Sequence, residues 1–571
     1  MKSHKIINKS EKLPTVRDYL NKSFKSYAKN NAFIVKNKQG NKVTYTNITY
    51  ETLGKQMKSL GTALINLGLE NKRIAIIGKN SYEWMLAYTA VLNGVGVTVP
   101  LDKGLQENEV LMSIQRSKAD AIVFEAEFAD IMEKIRKENN TNLKYFICMN
   151  SNENKENLYL YDLIKEGEKL LKNKDKRYEK HKINPKEMAS IVFTSGTTSL
   201  SKAVMLSHQN LASQIYNINA CEKIYDTDVN LAFLPFHHTF GSTATLLFLA
   251  DGVTNVFCDG LRHIQENLKE YKVSIFVCVP LLLESMYKKI MLQVDKQGKT
   301  KLIKFARKLS RFLLKFKIDI RRKLFKQILD QLGGNIRFVI SGAAALDKEV
   351  EAALNDFGIL AVQGYGLTET APVLAAENEQ NMKYGSIGLP MPEVEIKIDN
   401  PNEEGIGEII ARGPNIMMGY YEMEAESNKV LKDGWFHTGD LGYIDNQGFI
   451  FITGRKKNVI VLKNGKNIYP EEIETIVAKL PYVAENMVFG KEKDDDLLVS
   501  IKIVYNEEYV KEKYGEISKE DLKQIVWNDI KEINKTLPQY KYIKNLVLTN
   551  EPMVKTTTAK IKRFEEIKKE N

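Results

Sequence analysis

The sequence predicts an α/β protein: a large N-terminal domain of layered α/β sheets carrying a small antiparallel β subdomain, followed by a small α+β C-terminal domain. Three observations lead there. Between about residues 70 and 390, short apolar runs bounded by Gly, Pro or Ser alternate with helical stretches, as in parallel sheets covered by helices. From about residue 384 the pattern changes to short strands separated by Gly and Asp-Gly turns. A chain of 571 residues also exceeds what one compact domain holds.

Taken in order, Arg73–Gly78, Ala119–Glu125, Ala189–Thr194, Leu231–Pro235, Ser274–Val279 and Ile336–Ser341 read as buried strands. Ser81–Asn93, His208–Asn219 and Asp347–Phe357 read as helices between them. The β subdomain spans about 384–456, with turns at Glu404–Gly407, Asp433–Gly434 and Asn446–Gly448. The boundary falls near Lys456–Asn458, giving domains at 1–456 and 457–571. Beyond it, Asn458–Ile468, Met487–Phe489 and Leu497–Val504 read as strands, and Pro470–Leu480 and Lys519–Leu537 as helices. The sequence shows no internal repeat and no low-complexity tract.

Hydrophobic residues at 43% and charged residues at 27% exclude a mostly disordered or fibrous chain. An excess of 83 Lys+Arg over 72 Asp+Glu, +11 net, suggests an anionic partner: nucleic acid, a membrane surface or a phosphorylated small molecule. Cys148, Cys221, Cys258 and Cys278 are scattered, with no C-x-x-C pair and no His at metal spacing, so a reduced intracellular protein without disulfides or zinc is expected. Met1–Lys12 is charged and has no apolar signal core. No run approaches the roughly 18 apolar residues of a membrane span. Val273–Leu283 comes closest, and Pro280 marks it as a buried strand and turn. The expected location is cytoplasmic, with at most peripheral attachment to the inner face of a membrane.

The strongest local motif is Thr194-Ser195-Gly196-Thr197-Thr198-Ser199-Leu200-Ser201-Lys202, a strand end opening into a hydroxyl- and Gly-rich loop with a Lys. Such a loop wraps phosphates with backbone N–H groups and hydroxyls while the Lys neutralises charge; equally, it is a polar turn. It lacks the Walker A spacing. A second loop, Gln363-Gly364-Tyr365-Gly366-Leu367-Thr368-Glu369-Thr370, combines glycines for close approach, a ring for a base and a hard carboxylate suited to Mg²⁺, or is simply a capped glycine turn. In a third, Trp435-Phe436-His437-Thr438-Gly439-Asp440 and then Gly454-Arg455-Lys456-Lys457, Asp440 at a strand end can hold a ribose diol and Arg455 a phosphate.

In this order and at these separations, the four segments resemble the acyl-adenylate-forming superfamily, which contains acyl-CoA synthetases, luciferase and the adenylation domains of peptide synthetases. The resemblance runs from about residue 20 to Arg563. It implies a two-step reaction: a carboxylate attacks the α-phosphate of ATP to give acyl-AMP and pyrophosphate, and a thiol, usually of CoA, then displaces AMP. Carried over residue by residue, it implies that Thr194 to Lys202 hold the β- and γ-phosphates. Gly342, Ala343, Ala344 and Tyr365 flank the adenine, within a glycine-bounded loop that includes Gly364 and Gly366. Thr368 contacts the α-phosphate, Glu369 and Thr194 hold Mg²⁺, and Asp440 with Arg455 takes the ribose. Lys560, in Lys555-Thr556-Thr557-Thr558-Ala559-Lys560, bridges carboxylate and α-phosphate as charge builds in the transition state. The family's usual pattern has Gly where Ala559 stands. In Leu234-Pro235-Phe236-His237-His238, His238 matches the ring near the acyl carboxylate, with His237 the alternative. Lys457 matches the hinge of a mobile C-terminal domain, whose second position presents Lys463, Asn464 and Gly465 for thioester formation.

The residues Tyr287–Lys326 hold 15 Lys+Arg against 2 Asp+Glu, so the rest of the chain is close to neutral. Apolar residues recur at Leu302, Ala306, Leu309, Leu313, Phe316, Ile320, Leu324 and Ile328 with helical spacing. Two readings stand: a basic helix lying in an anionic membrane interface, or a surface helix packing this stripe onto the domain, the second slightly favoured. The block also resembles a segment of the long-chain branch of the acyl-CoA synthetases. The resemblance therefore implies a long-chain fatty acid–CoA ligase using ATP, Mg²⁺ and CoA. The alternatives are an enzyme passing the acyl group to an acyl carrier protein, or one acting on a shorter or aryl acid. Nucleic acid is not an expected partner, since no helix-turn-helix or aromatic-interleaved basic platform occurs. An oligomer is compatible with the sequence.

Overall fold

The computed structural model describes residues 3–4, 6–40, 42–194, 201–462, 466–493, 496–555 and 560–570. Among these, eight strands form one sheet. Its parallel centre runs Gly96–Leu101, Lys72–Ile77, Ala121–Phe124 and Tyr145–Cys148, and Met188–Phe193 pairs antiparallel with Ala203–Ser207 at the other end. Ile74, Ala75, Ile76 and Ile77 are all buried, as expected of a parallel strand covered on both faces. A nine-stranded sheet places Val229–Ala232, Ile275–Cys278, Phe338–Ser341 and Leu360–Gly366 side by side, in parallel. The helix Tyr82–Leu92, capped by the Ser81 side chain, is buried over almost its whole length. One continuous core holds this helix together with Ile76 of the first sheet and Ile275 and Phe338 of the second. The alternation in the sequence gave the layered class; the division of the strands between two sheets comes from the structure.

The antiparallel subdomain pairs Glu395–Asp399, Gly407–Arg412, Trp435–Ile444 and Ile450–Arg455, with Leu431–Lys432 turning back on Trp435. At that turn Asp433 and Gly434 have φ of 51° and 76°, the mirror-image hairpin geometry the Asp-Gly pair favours. After the short turn Lys456–Asn458, the C-terminal residues build a separate apolar cluster around Ile473, Val526, Ile501 and Leu546. Val483–Lys493 and Asp496–Tyr505 pair antiparallel there, and Asn545–Thr549 adds a parallel strand that the sequence reading lacked. The helices Pro470–Val477 and Lys519–Lys535 cover them.

The basic block departs from expectation. It forms the helices Pro280–Lys296 and Thr300–Leu314, a break with Lys317 at φ 61°, and the short helices Arg321–Leu324 and Lys326–Gln331. Only part of the apolar stripe packs onto the domain. Ala306 and Ile328 are buried, but Leu302 is 59% and Phe316 62% exposed. On the inner face Ile303 and Ala306 are joined by Arg307 and Ser310: Arg307 donates to Asp356 at 2.7 Å and to Glu349 at 2.6 Å.

Candidate functional site

The site segments leave the same ends of neighbouring strands. Phe338–Ser341 runs into Gly342, whose N–H donates to Cys278 O at 3.1 Å and where a Cβ would meet the Phe240 ring at 2.9 Å. Ala343 follows at φ 73°, and Ala343 and Ala344 are exposed at the strand ends. Beside them Leu360–Gly366 carries Gly364, Tyr365 and Gly366. The two glycines differ: a Cβ on Gly366 would lie 1.7 Å from Pro372 O, whereas around Gly364 it would find ordinary spacing. Gly366 therefore serves the fold, and Gly364 is the one left open to a ligand.

Thr368 and Glu369 stand on the tight turn Thr368–Thr370. Thr370 fixes it by accepting from Leu367 N at 2.9 Å, and Asn415 donates to Thr370 O at 3.0 Å. Glu369 Oε1 accepts from the Tyr420 hydroxyl at 2.9 Å, and the Lys202 ammonium lies 4.6 Å from the centre of the Tyr420 ring. Tyr420 thus links the carboxylate of one loop to the Lys of the other. No sequence motif singled it out, because the link arises from Gly419–Tyr420 pairing with Ala203–Ser207. Thr194 donates its N–H to Lys202 O at 2.9 Å, closing the base of the hydroxyl-rich loop, and its hydroxyl turns to the same carbonyl. Ser195, Gly196, Thr197 and Thr198 lie outside the described residues, as do Lys463, Asn464, Gly465 and Ala559.

Asp440 is buried, and strand register places it opposite Arg455. Its Oδ1 lies 2.7 Å from Arg455 Nε, and its Oδ2 accepts from the Tyr365 hydroxyl at 2.7 Å. Burial raises the Asp440 carboxyl above its ordinary range, and Arg455 opposes the rise. Tyr365, expected as a platform for a base, is mostly buried: its ring joins the cluster of Leu374, Ile387 and Ile409, and its hydroxyl supports Asp440. A cleft of about 430 Å³ opens between Lys202, Glu369 and Tyr420 on one side and Thr438, Gly439, Arg455 and Lys456 on the other.

Residues of the C-terminal part approach this cleft. Lys479 pairs with Asp347 across the two parts of the chain at 3.0 Å. Lys560 lies close enough to Arg455, Asp440 and Glu369 for their charges to act on it. Desolvation and then Arg455 push its pKa below the usual lysine value, with Asp440 and Glu369 opposing. Lys457 is lowered for the same reasons, first by burial, then by Arg455, with Lys560 adding repulsion. His238 also senses Lys560: burial, His237 and Lys560 together bring it down to about 4, so it is neutral at physiological pH. The two imidazoles are 4.1 Å apart, and His237 Nε2 faces Asp102 Oδ2 at 3.4 Å. Asp102, at the end of the strand Gly96–Leu101, was not legible in the sequence, since a lone Asp after a strand carries no signal.

The structure therefore gathers Lys202, Glu369, Asp440, Arg455, Lys457, Lys560 and His238 from six separate stretches into one electrostatic neighbourhood. These groups surround one cleft beside the ends of the parallel strands. Residues 23–421 match the AMP-binding enzyme family and residues 457–569 its C-terminal domain, and the chain belongs to that family. It is 30% identical over 511 residues to fatty acyl-CoA synthetase B of Dictyostelium discoideum, covering 84% of this chain and 75% of that protein. It is 27% identical over 557 residues to a chloroplastic long-chain-fatty-acid–[acyl-carrier-protein] ligase of Arabidopsis thaliana, covering 85% and 76%. Among solved structures, the anthranilate CoA ligase AuaEII with anthranoyl-AMP superposes with a TM-score of 0.75 at 18% identity, over 97% of each chain.

Proposed function

We propose that this chain is an AMP-forming long-chain fatty acid–CoA ligase using ATP, Mg²⁺ and CoA, built from a 1–456 adenylation domain and a 457–571 domain that changes position between half-reactions. The observation that carries the reading is the cationic excess in the cleft: Arg455, Lys457 and Lys560 act on one another, with Asp440 and Glu369 opposing. An anionic triphosphate entering there relieves the repulsion and is held by it. The relatives named for fatty acyl substrates support the acyl class.

In the first half-reaction a fatty carboxylate oxygen bonds to the α-phosphorus of ATP while the bond to pyrophosphate breaks. Lys560 neutralises the charge that builds between the two anions. Thr368 contacts the α-phosphate, the 194–202 loop holds the outer phosphates, and Asp440 with Arg455 holds the ribose between its pre-set partners. Gly342, Ala343 and Ala344 line the base. Glu369, with Thr194, would hold Mg²⁺, which supplies charge neutralisation on the phosphates. Neutral His238 faces the carboxylate end of the acyl site. In the second half-reaction the CoA sulfur attacks the acyl carbonyl and AMP leaves. Lys457 is the pivot in this reading, and Lys463, Asn464 and Gly465, which lie outside the described residues, are assigned to the thioester half-reaction by the resemblance alone. The basic block 287–326 is the membrane-facing part of this reading.

The test is pyrophosphate release across fatty acids of graded length, with CoA or a carrier protein as acceptor. Release with long-chain acids and thioester on CoA are expected. Activity confined to aryl or short acids, or to the carrier protein, overturns the substrate or the acceptor.

A further inference from the structure

The helix Thr300–Leu314 carries apolar side chains on both its inner and its outer face. Its inner face is mixed: Ile303 and Ala306 pack on the apolar core, while Arg307 is held by Asp356 and Glu349, and Ser310 donates to Arg307 O at 3.0 Å. Arg311 adds a two-point contact to Asp356 at 2.6 Å. The ion pairs anchor the helix and leave apolar side chains outside. Leu302, Phe305, Leu309 and Phe312 follow the outer face at helical spacing, and Phe305 is 64% exposed. Phe316 and Ile318 continue the ridge past the helix end, where the Phe312 and Phe316 rings meet edge-on at 5.2 Å in solvent.

A soluble surface rarely exposes contiguous aromatic and aliphatic side chains of this kind without a partner. The flanking charge says which partner. Lys301, Lys304 and Lys308 run alongside the ridge, exposed, and among the described residues none forms an ion pair with a carboxylate. The block's two acids are already engaged, Asp319 by Arg321 at 2.7 Å and Asp295 by Thr300 at 2.9 Å. An apolar ridge bordered by unpaired lysines matches an interface of acyl chains beneath anionic headgroups, with lysine stems lying along the apolar layer and ammoniums at the phosphates.

We propose that the ridge Leu302–Ile318 inserts into the outer acyl layer of an anionic lipid surface, with Lys301, Lys304 and Lys308 on the headgroups. This rests on the fatty-acid reading only for its purpose, since such a substrate partitions into that layer. The ridge also connects to the cleft: the preceding helix Pro280–Lys296 starts directly after Ile275–Cys278, whose Cys278 carbonyl holds Gly342 of the nucleotide loop.

The experiment is co-sedimentation of the full chain with vesicles of phosphatidylcholine alone or mixed with phosphatidylglycerol. The variants are Phe305→Ser/Phe312→Ser/Phe316→Ser and Lys301→Gln/Lys304→Gln/Lys308→Gln, with a Phe312→Trp probe for insertion. Binding to the anionic vesicles only is expected, weakened about tenfold or more by either triple variant. The charge variant's deficit should shrink at high salt, and the Trp emission should shift to the blue. Acyl-CoA formation from a monomeric short acid in solution should stay unchanged in both, which separates failure of the ridge from failure of the ligase reading. A wild-type chain that stays in the supernatant, or an aromatic variant that binds as well as wild type, overturns the proposal. So does a Trp whose emission is unmoved, or an aromatic variant that changes only the oligomeric state, which would make the ridge a contact between copies.

Discussion

The cleft and the ridge use cations in opposite ways. In the cleft, each cation is placed against a particular group: Arg455 lies 2.7 Å from Asp440, Lys202 4.6 Å from the Tyr420 ring centre, and Lys560 is influenced by Arg455, Asp440 and Glu369. Along the helix Thr300–Leu314 the outward lysines face water together, and among its cations only the inward Arg307 and the half-exposed Arg311 form ion pairs among the described residues. Placed cations give geometry and perturbed pKa values; a row of cations gives a field that salt screens within about 10 Å. The net charge of +11 therefore reports the ridge and says almost nothing of the catalytic cleft.

The sharpest way to break this contrast is to remove one placed cation. Lys560→Ala should slow pyrophosphate release about 100- to 1,000-fold, the range for losing one aligned charge at a developing anion. Thioester formation from supplied acyl-AMP should be spared if, as proposed, that half-reaction uses another face of the C-terminal domain. Stopped-flow measurement of each half-reaction decides it; equal loss of both would refute the two-position reading. On the ridge, the counterpart is the inward Arg307. Arg307→Leu strips the buried Asp356 of one of its two arginines and should lower unfolding stability by about 3 kcal/mol, read from the urea midpoint. A loss below about 0.5 kcal/mol would mean that apolar packing, not the ion pairs, anchors this helix.

How much of this the sequence carried depends on the range of the interaction. Strands such as Lys72–Ile77 and helices such as Tyr82–Leu92 are written locally, in short apolar runs alternating with helical stretches, and were legible. So was the Asp433-Gly434 turn. The strand Asn545–Thr549 was not, being five residues long and stable only against Asp496–Tyr505. The ridge was legible as an amphipathic pattern but not in its direction, because periodicity says that two faces differ and not which one is turned inward. Asp356, far along the chain, decides that by capturing Arg307 and Arg311. The motif loops gave most of the cleft, whereas Tyr420 and Asp102 became visible only once sheet pairing brought them to it.

A smaller effect is expected at Asp440. Asp440→Asn keeps an acceptor for the Tyr365 hydroxyl but removes the charge facing Arg455, and should raise the KM for ATP about 10-fold or more. If kcat falls and KM does not, Asp440 acts on the transition state rather than on binding. The ridge variants should leave this KM alone, which keeps the two regions separable.

The mildest prediction concerns pH. Lys560 acts as a cation, and in the free protein its pKa lies below the ordinary lysine value of 10.5, chiefly from desolvation and then from Arg455. Lowering a lysine pKa disfavours the charged form, so kcat/KM for ATP, which reports the free protein, should fall as pH rises through that lowered value. Bound phosphates add negative charge beside Lys560 and raise its pKa, so the alkaline limb of kcat should lie at higher pH than that of kcat/KM. Lys560→Arg, whose guanidinium stays charged throughout, should retain part of the rate and lose the limb. His238, held to about 4, is already neutral over this range and should contribute no limb near pH 6 to 7. A limb that survives Lys560→Arg unchanged would place the titrating cation elsewhere, with Lys457 the next to test because the same neighbours depress it.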